Sequence, residues 1–153
     1  DSAALDLAQV VADERPALEE AAAAAGGHLS LDHAGPVPMH GDAEAVSLIV
    51  RNLVGNAAKY GGEAPRIEVE AAAVDGEATL RVRDFGPGLD AIAGRDPFRA
   101  FVRGRDTEAQ SGVGLGLHLV FELTSAMGGR VEAADMDPGA LFTCAWPLGE
   151  DPA

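Results

Sequence analysis

Residues 42–60 read DAEAVSLIVRNLVGNAAKY, and the reading of this stretch decides the fold. Asp42 after Gly41 is a helix start signal, because an aspartate at the N-cap accepts backbone N–H bonds. Glu44 falls in the first turn, where negative charge is favoured, and Gly61-Gly62 stops the run. At roughly 3.6 residues per turn, Val46, Ile49, Leu53, Ala57 and Tyr60 share one apolar arc, with Glu44, Ser47, Arg51 and Gly55 opposite. Between the two arcs Asn52, Asn56 and Lys59 fall on one stripe bordering the buried face.

Asparagine is a poor helix former, so two of them one turn apart lower helix stability without a packing return. Either their carboxamides cap neighbouring loops or they have a ligand. An uncharged oxygen suits a hydrated Mg2+ already partly neutralised by phosphate, and a lysine one turn on suits the phosphate oxygens themselves.

At 153 residues and 47% hydrophobic, the chain is expected to form one domain with a real core. No apolar run approaches the ~20 residues of a membrane span, and the start has no signal pattern, which predicts a soluble piece. The single cysteine, Cys144, excludes an internal disulfide and a cysteine metal site and reads as a core thiol. A net charge of −14 argues against a nucleic-acid face, which needs clustered cations. Of the 11 Lys and Arg, Arg95, Arg99, Arg103 and Arg105 lie together in one short segment.

Before the central helix, Leu5 to Ala25 has broken helical periodicity with Asp6 as its cap, and Pro16 either kinks it or starts it afresh. His28 to Leu31 alternates like a strand, and Val37-Pro38-Met39 reads as a short edge strand. After it, Arg66 to Val74 and Ala78 to Asp84 alternate on either side of Asp75-Gly76, a strong hairpin signal. A helix from about Gly114 to Met127 is apolar on nearly every side, and Arg130 to Asp135 with Ala140 to Leu148 closes the chain as a hairpin over Asp137-Pro138-Gly139.

Asp84 ends its strand beside glycines that admit close backbone approach, in Asp84-Phe85-Gly86-Pro87-Gly88-Leu89. It reads as a turn aspartate or as a buried acceptor for an exocyclic amine, the group by which a pocket selects adenine. Gly112, Gly114 and Gly116 open a helix with unobstructed amides, where free N–H groups and the dipole attract phosphate. The loop lacks the Gly-Lys-Ser/Thr ending of a Walker A motif and the βαβ setting of a dinucleotide fingerprint.

Asn52 to Tyr60 resembles the N box of sensor histidine kinases, and Asp84 to Leu89 resembles their G1 box. Phe98-Arg99-Ala100-Phe101-Val102-Arg103-Gly104 resembles the F box, and Ser111 to Leu117 the G2 box. Gly139 to Pro147 is similar to the closing strand, and Leu5-Asp6-Leu7 to the usual start of the domain. The resemblance covers nearly the whole chain. It implies the catalytic and ATP-binding domain: an α/β (α+β) two-layer sandwich, with a mixed, mostly antiparallel sheet under about three helices. The domain would span 1–149, with a lid at about 90–112 and a tail at 150–153.

Carried over by residue, the resemblance implies ATP and Mg2+ as cofactors, with Asn56 a Mg2+ ligand, Asn52 close to the phosphates and Lys59 on phosphate. Tyr60 would line the nucleoside pocket and Asp84 would take the adenine amine. Gly86, Gly88 and Leu89 would admit the base, the glycines of the Gly112 loop and the amides of Gly114, Gly116 and Leu117 would cradle phosphate, Arg103 would reach the phosphates, and Thr143 would sit behind the adenine. Phe98 and Phe101 would pin a basic lid otherwise poor in apolar anchors.

None of His28, His33, His40 and His118 stands in the family's phosphoacceptor context. The acceptor histidine is therefore expected on a separate dimerisation domain, with a response regulator as the onward partner. Some relatives carry a glutamate where this chain has Leu48, so no catalytic residue is named. The resemblance further implies no nucleic-acid partner, no direct membrane contact, a monomeric isolated domain, and a cytoplasmic location below a membrane-anchored parent. Two other readings share the fold: an anti-sigma-factor serine kinase, and a nucleotide-binding module without catalysis.

Overall fold

The computed structural model describes residues 3–33, 35–86, 112–136 and 138–149, and at 60, 112–116 and 135 the backbone alone. The elements begin with β1 (Ala3–Asp6), α1 (Leu7–Asp13), α2 (Arg15–Ala24), β2 (His28–His33) and β3 (Pro38–Gly41). They continue with α3 (Ala43–Tyr60), β4 (Arg66–Val74), β5 (Glu77–Asp84), α4 (Gly112–Ala126), β6 (Arg130–Asp135) and β7 (Ala140–Pro147).

Five strands form one sheet in the order β2-β4-β5-β7-β6, in which β2 runs parallel to β4 and every other neighbour is antiparallel. The β4–β5 hairpin turns at Asp75 and Gly76, both at positive φ (51° and 79°), which brings Val74 opposite Glu77. Alternation then sends Ile67, Val69 and Ala71 of β4 and Ala78, Leu80 and Val82 of β5 into the core. Phe142, Cys144 and Trp146 of β7 join them. Helix α3 lays Val46, Ile49, Val50, Leu53 and Val54 on that apolar layer, and all five are fully or almost fully buried. The opposite sheet face is polar, with Glu68, Glu70, Arg81 and Arg83 lining a cleft of ≈ 520 Å³.

The two-layer α/β sandwich with a mixed, mostly antiparallel sheet is as expected, but it has four helices among the described residues. Pro16 starts the second helix afresh, and Glu14 both closes α1 and precedes α2. Arg51 of α3 pairs with Glu14 and ties this junction to the central helix. Leu5 lies in a strand rather than in a helix. β1 pairs antiparallel with β3, and Asp6 Oδ1 accepts from both Ala8 N (3.0 Å) and Val37 N (2.8 Å). Asp6 is thus an N-cap that also anchors the start of the β3 segment.

Gly55 lies on the exposed arc of α3, and a Cβ added there meets nothing within 4 Å. Gly55→Ala is therefore expected to stabilise the domain by about 0.5–1 kcal/mol through helix propensity. Thermal unfolding will show this as a rise of a few degrees.

Cys144 is fully buried, and burial pushes its thiol up to about 12, against a weak opposing hydrogen bond from Thr124 Oγ1 at 3.7 Å. The thiolate is the reactive form. A thiol reagent at neutral pH will therefore leave Cys144 unmodified until denaturant opens the core.

Candidate functional site

Three segments distant in sequence converge at the C-terminal end of α3. The first is α3 itself, whose Asp42 N-cap accepts from Glu44 N at 2.9 Å and whose last turn carries Lys59. Asn52 is half-buried and donates from Nδ2 to Leu48 O at 2.7 Å. That bond uses one of its two N–H donors on the helix backbone and leaves the carboxamide oxygen for a ligand. Asn56 is 8% exposed, and its Nδ2 has no hydrogen-bond partner among the described residues. A buried, unpartnered N–H donor costs about 1–3 kcal/mol, so it points to an acceptor oxygen on a ligand.

The second segment is the end of β5. Asp84 shares the core-facing side of the strand with Leu80 and Val82 and is 3% exposed. Desolvation raises its carboxyl above the ordinary range, opposed by backbone N–H groups of Gly86 and Ala140. Asp84 Oδ1 accepts from Gly86 N at 2.9 Å. Gly86 touches the residue that ends α3: a Cβ on Gly86 would lie 2.4 Å from the Gly61 carbonyl carbon. This backbone-to-backbone contact holds the end of the asparagine helix against the aspartate strand, and only glycine permits it.

The β6–β7 turn closes on the same point. Gly139, at φ +97°, packs so tightly that a Cβ there would lie 1.9 Å from Asp84 O. Ala140 is directly opposite Asp84 in the register.

The third segment is the start of α4. Asp42 N–H donates to Met127 Sδ at 3.4 Å, so the beginning of α3 meets the end of α4. The two helices pack side by side, which makes them antiparallel. At about 1.5 Å rise per residue, the Asn56–Lys59 end of α3 comes level with the beginning of α4. The asparagine stripe and the glycine-rich helix start therefore share one end of the helix layer.

Two expected positions are corrected. α4 begins at Gly112 rather than about Gly114, so the amides of Gly116 and Leu117 fall inside its hydrogen-bond ladder. The free amides at this terminus are those of Gly112 to Gly114, and Leu117 is a core side chain with no exposure. Thr143 lies opposite Arg81 and Glu132, on the polar sheet face away from Asp84. Strand alternation prevents it from sitting behind a base held at Asp84, where Ala140 stands instead.

Gly88, Leu89, Arg103 and the lid at about 90–112 up to the start of α4 lie outside the described residues, as do the tail at 150–153 and the side chain of Tyr60. In the sequence Gly61 reads as a helix stop, Phe85 as part of the G1 box and Gly139 as a turn residue; no local pattern signals their contacts across the chain.

The helix layer over a mixed sheet thus brings the asparagine stripe, the buried strand-end carboxylate and the glycine-opened helix to one end of the fold. Residues 41–150 match the histidine kinase-, DNA gyrase B- and HSP90-like ATPase family, and the chain belongs to it. Its relatives are sensor kinases: it is 35% identical over 113 residues to the signal transduction histidine-protein kinase AfsQ2 of Streptomyces coelicolor, covering 72% of this chain and 21% of the relative. It is 36% identical over 105 residues to the kinase/phosphatase MprB of Mycobacterium avium, covering 68% and 20%. The chain thus spans about a fifth of the length of these relatives.

Among solved structures, the catalytic domain of the histidine kinase ThkA superposes with TM-score 0.78 at 17% identity, covering 96% of this chain and 97% of that one. Full-length ShkA in complex with AMPPNP superposes with TM-score 0.77 at 28% identity, covering 100% and 32%. No helix among the described residues is long and apolar enough to cross a membrane.

Proposed function

We propose that this domain binds Mg-ATP where α3, the end of β5 and the start of α4 meet, and donates the γ-phosphoryl group to a histidine on a dimerisation domain of its parent sensor kinase. The observation that carries this reading is Asp84: a carboxylate 3% exposed, held at a strand end by the Gly61–Gly86 contact beside an asparagine helix. A buried acceptor in that setting takes the exocyclic amine of adenine. Gly86, Gly88 and Leu89 would admit the base, and Tyr60 would line the nucleoside.

The amides of Gly112 to Gly114, with Lys59, would hold phosphate, and Arg103 would reach it from a lid at about 90–112. Among the described residues no three or more His, Cys, Asp or Glu are grouped to hold a metal by themselves. Mg2+ bound with ATP would keep most of its waters and take few protein oxygens. Asn56, with Asn52 one turn before it, would turn its carboxamide oxygen to such an ion, and its unpartnered Nδ2 would donate to a phosphate oxygen. The bound ion would supply charge neutralisation of the phosphates.

In the transfer, an imidazole nitrogen of the acceptor forms a bond to the γ-phosphorus, the bond to the β-bridging oxygen breaks, ADP leaves, and the histidine nitrogen gives up its proton. This domain binds, orients and excludes water. The base belongs elsewhere, and Leu48 cannot serve as one. A response regulator would take the phosphoryl group onward. The parent would be membrane-anchored with this domain on the ATP-supplied cytoplasmic side.

The test mixes the domain with a separately made dimerisation domain of the parent kinase and γ-labelled ATP. Label on histidine, dependent on Mg2+, is the expected result. Label on serine, or none despite ATP binding, overturns the reading.

A further inference from the structure

Phe85 is the residue between the buried carboxylate and the glycine contact, and its ring meets two guanidinium groups. The Arg83 guanidinium carbon is 4.2 Å from the ring centroid and that of Arg66 is 4.5 Å. The register explains the arrangement: Ile67 pairs with Asp84 at the end of β5 and Glu68 with Arg83. Phe85, the next residue, therefore leaves the strand beside Arg66, and its ring contacts with Arg66 and Arg83 put it on their side of the sheet. Successive residues on a strand point to opposite faces. Asp84 therefore points into the helix side while Phe85 points to the polar side, where both arginines lie.

Each arginine is itself held. Arg66 Nη2 donates to Glu68 Oε2 at 3.0 Å, and Arg83 Nη2 donates to Pro138 O at 3.3 Å, next to the Gly139 that packs on Asp84. The ring is thus fixed to β4, to β5 and to the β6–β7 turn together.

Resting on the ATP-binding reading above, we infer that Phe85 is a positioning residue for adenine recognition: its stacking contacts with Arg66 and Arg83 fix the chain at the end of β5 and so keep the Asp84 carboxylate aimed at the base. The Phe85 ring lies with Arg66 and Arg83, and Asp84 alone faces the base. It acts through Asp84 by preventing rotation of the Asp84–Phe85 peptide, which would swing the carboxylate out of line while leaving the phosphate end of the site unchanged.

The test titrates the domain with ATP and with purine riboside triphosphate, which lacks the exocyclic amine that Asp84 reads. Two cation–π contacts set the scale, so Phe85→Leu is expected to weaken ATP roughly 10-fold and leave purine riboside triphosphate within about 2-fold. Phe85→Tyr, which keeps the stack, restores ATP to within about 2-fold. Arg66→Leu, which removes one exposed face of the stack, gives a loss of about 3-fold and guards against a folding defect in the Phe85 variant. Equal losses for both nucleotides, or no loss for ATP, overturn the positioning role. If the parent domain binds purine riboside triphosphate as tightly as ATP, or binds neither, the adenine reading of Asp84 fails and this inference falls with it.

Discussion

Asp84→Asn is expected to weaken ATP roughly 100-fold, about 3 kcal/mol, while the domain stays folded. The carboxylate meets backbone N–H groups of Gly86 and Ala140, and Oδ1 already accepts from Gly86 N at 2.9 Å. Asparagine replaces one oxygen with an NH2 group. Whichever way the amide turns, a donor then faces either the backbone N–H or the adenine amine.

Stability moves differently. Burial raises the folded carboxyl above its ordinary 3.8, so the protonated form is favoured by folding. That contribution is fully present below the unfolded pKa and is lost as pH rises through the folded one. Asparagine has no such loss, so the variant gains stability relative to the parent as pH climbs from about 3.8 to neutrality. Thermal unfolding of both proteins across that range, beside calorimetric titration with ATP, checks the two halves.

Asn56→Leu is expected to do the opposite of a damaging core substitution. The side chain is 8% exposed and its Nδ2 is unpartnered, so a similarly sized apolar group removes a desolvated amide. A gain of about 1 kcal/mol follows, seen as a melting temperature a few degrees higher. If Asn56 serves the Mg2+ end of the site, the same substitution removes the enhancement of ATP affinity by Mg2+, a loss of about 10-fold or more. Higher stability with lost Mg2+ dependence separates a functional residue from a structural one. A drop in stability with Mg2+ dependence intact would assign Asn56 to packing.

The parts legible in the sequence were those written locally. Asp42, the apolar arc and the closing glycines defined α3; Asp75-Gly76 between alternating runs defined the β4–β5 hairpin that delivers Asp84. Other features depend on partners far along the chain. Leu5 joins a strand because β3 is there to pair with it, which no helical periodicity over Leu5 to Ala25 reveals. Thr143 and Ala140 differ only in parity along β7, and the register to β5 decides which of them backs Asp84. Gly61, Gly86 and Gly139 are ordinary turn glycines in the sequence; in the fold they are where backbones touch around the carboxylate. Phe85 reads as part of a loop until the fold brings Arg66 and Arg83 onto its ring.

The most direct measurement is calorimetric titration of the domain with ATP, with and without Mg2+, beside GTP as the control. The adenine pocket at Asp84 and the Asn52–Asn56 stripe beside the phosphate end of the site predict that ATP binds, that Mg2+ tightens it, and that GTP, which presents a carbonyl where adenine has its amine, does not bind. Equal binding of ATP and GTP, or binding of neither, would contradict the account.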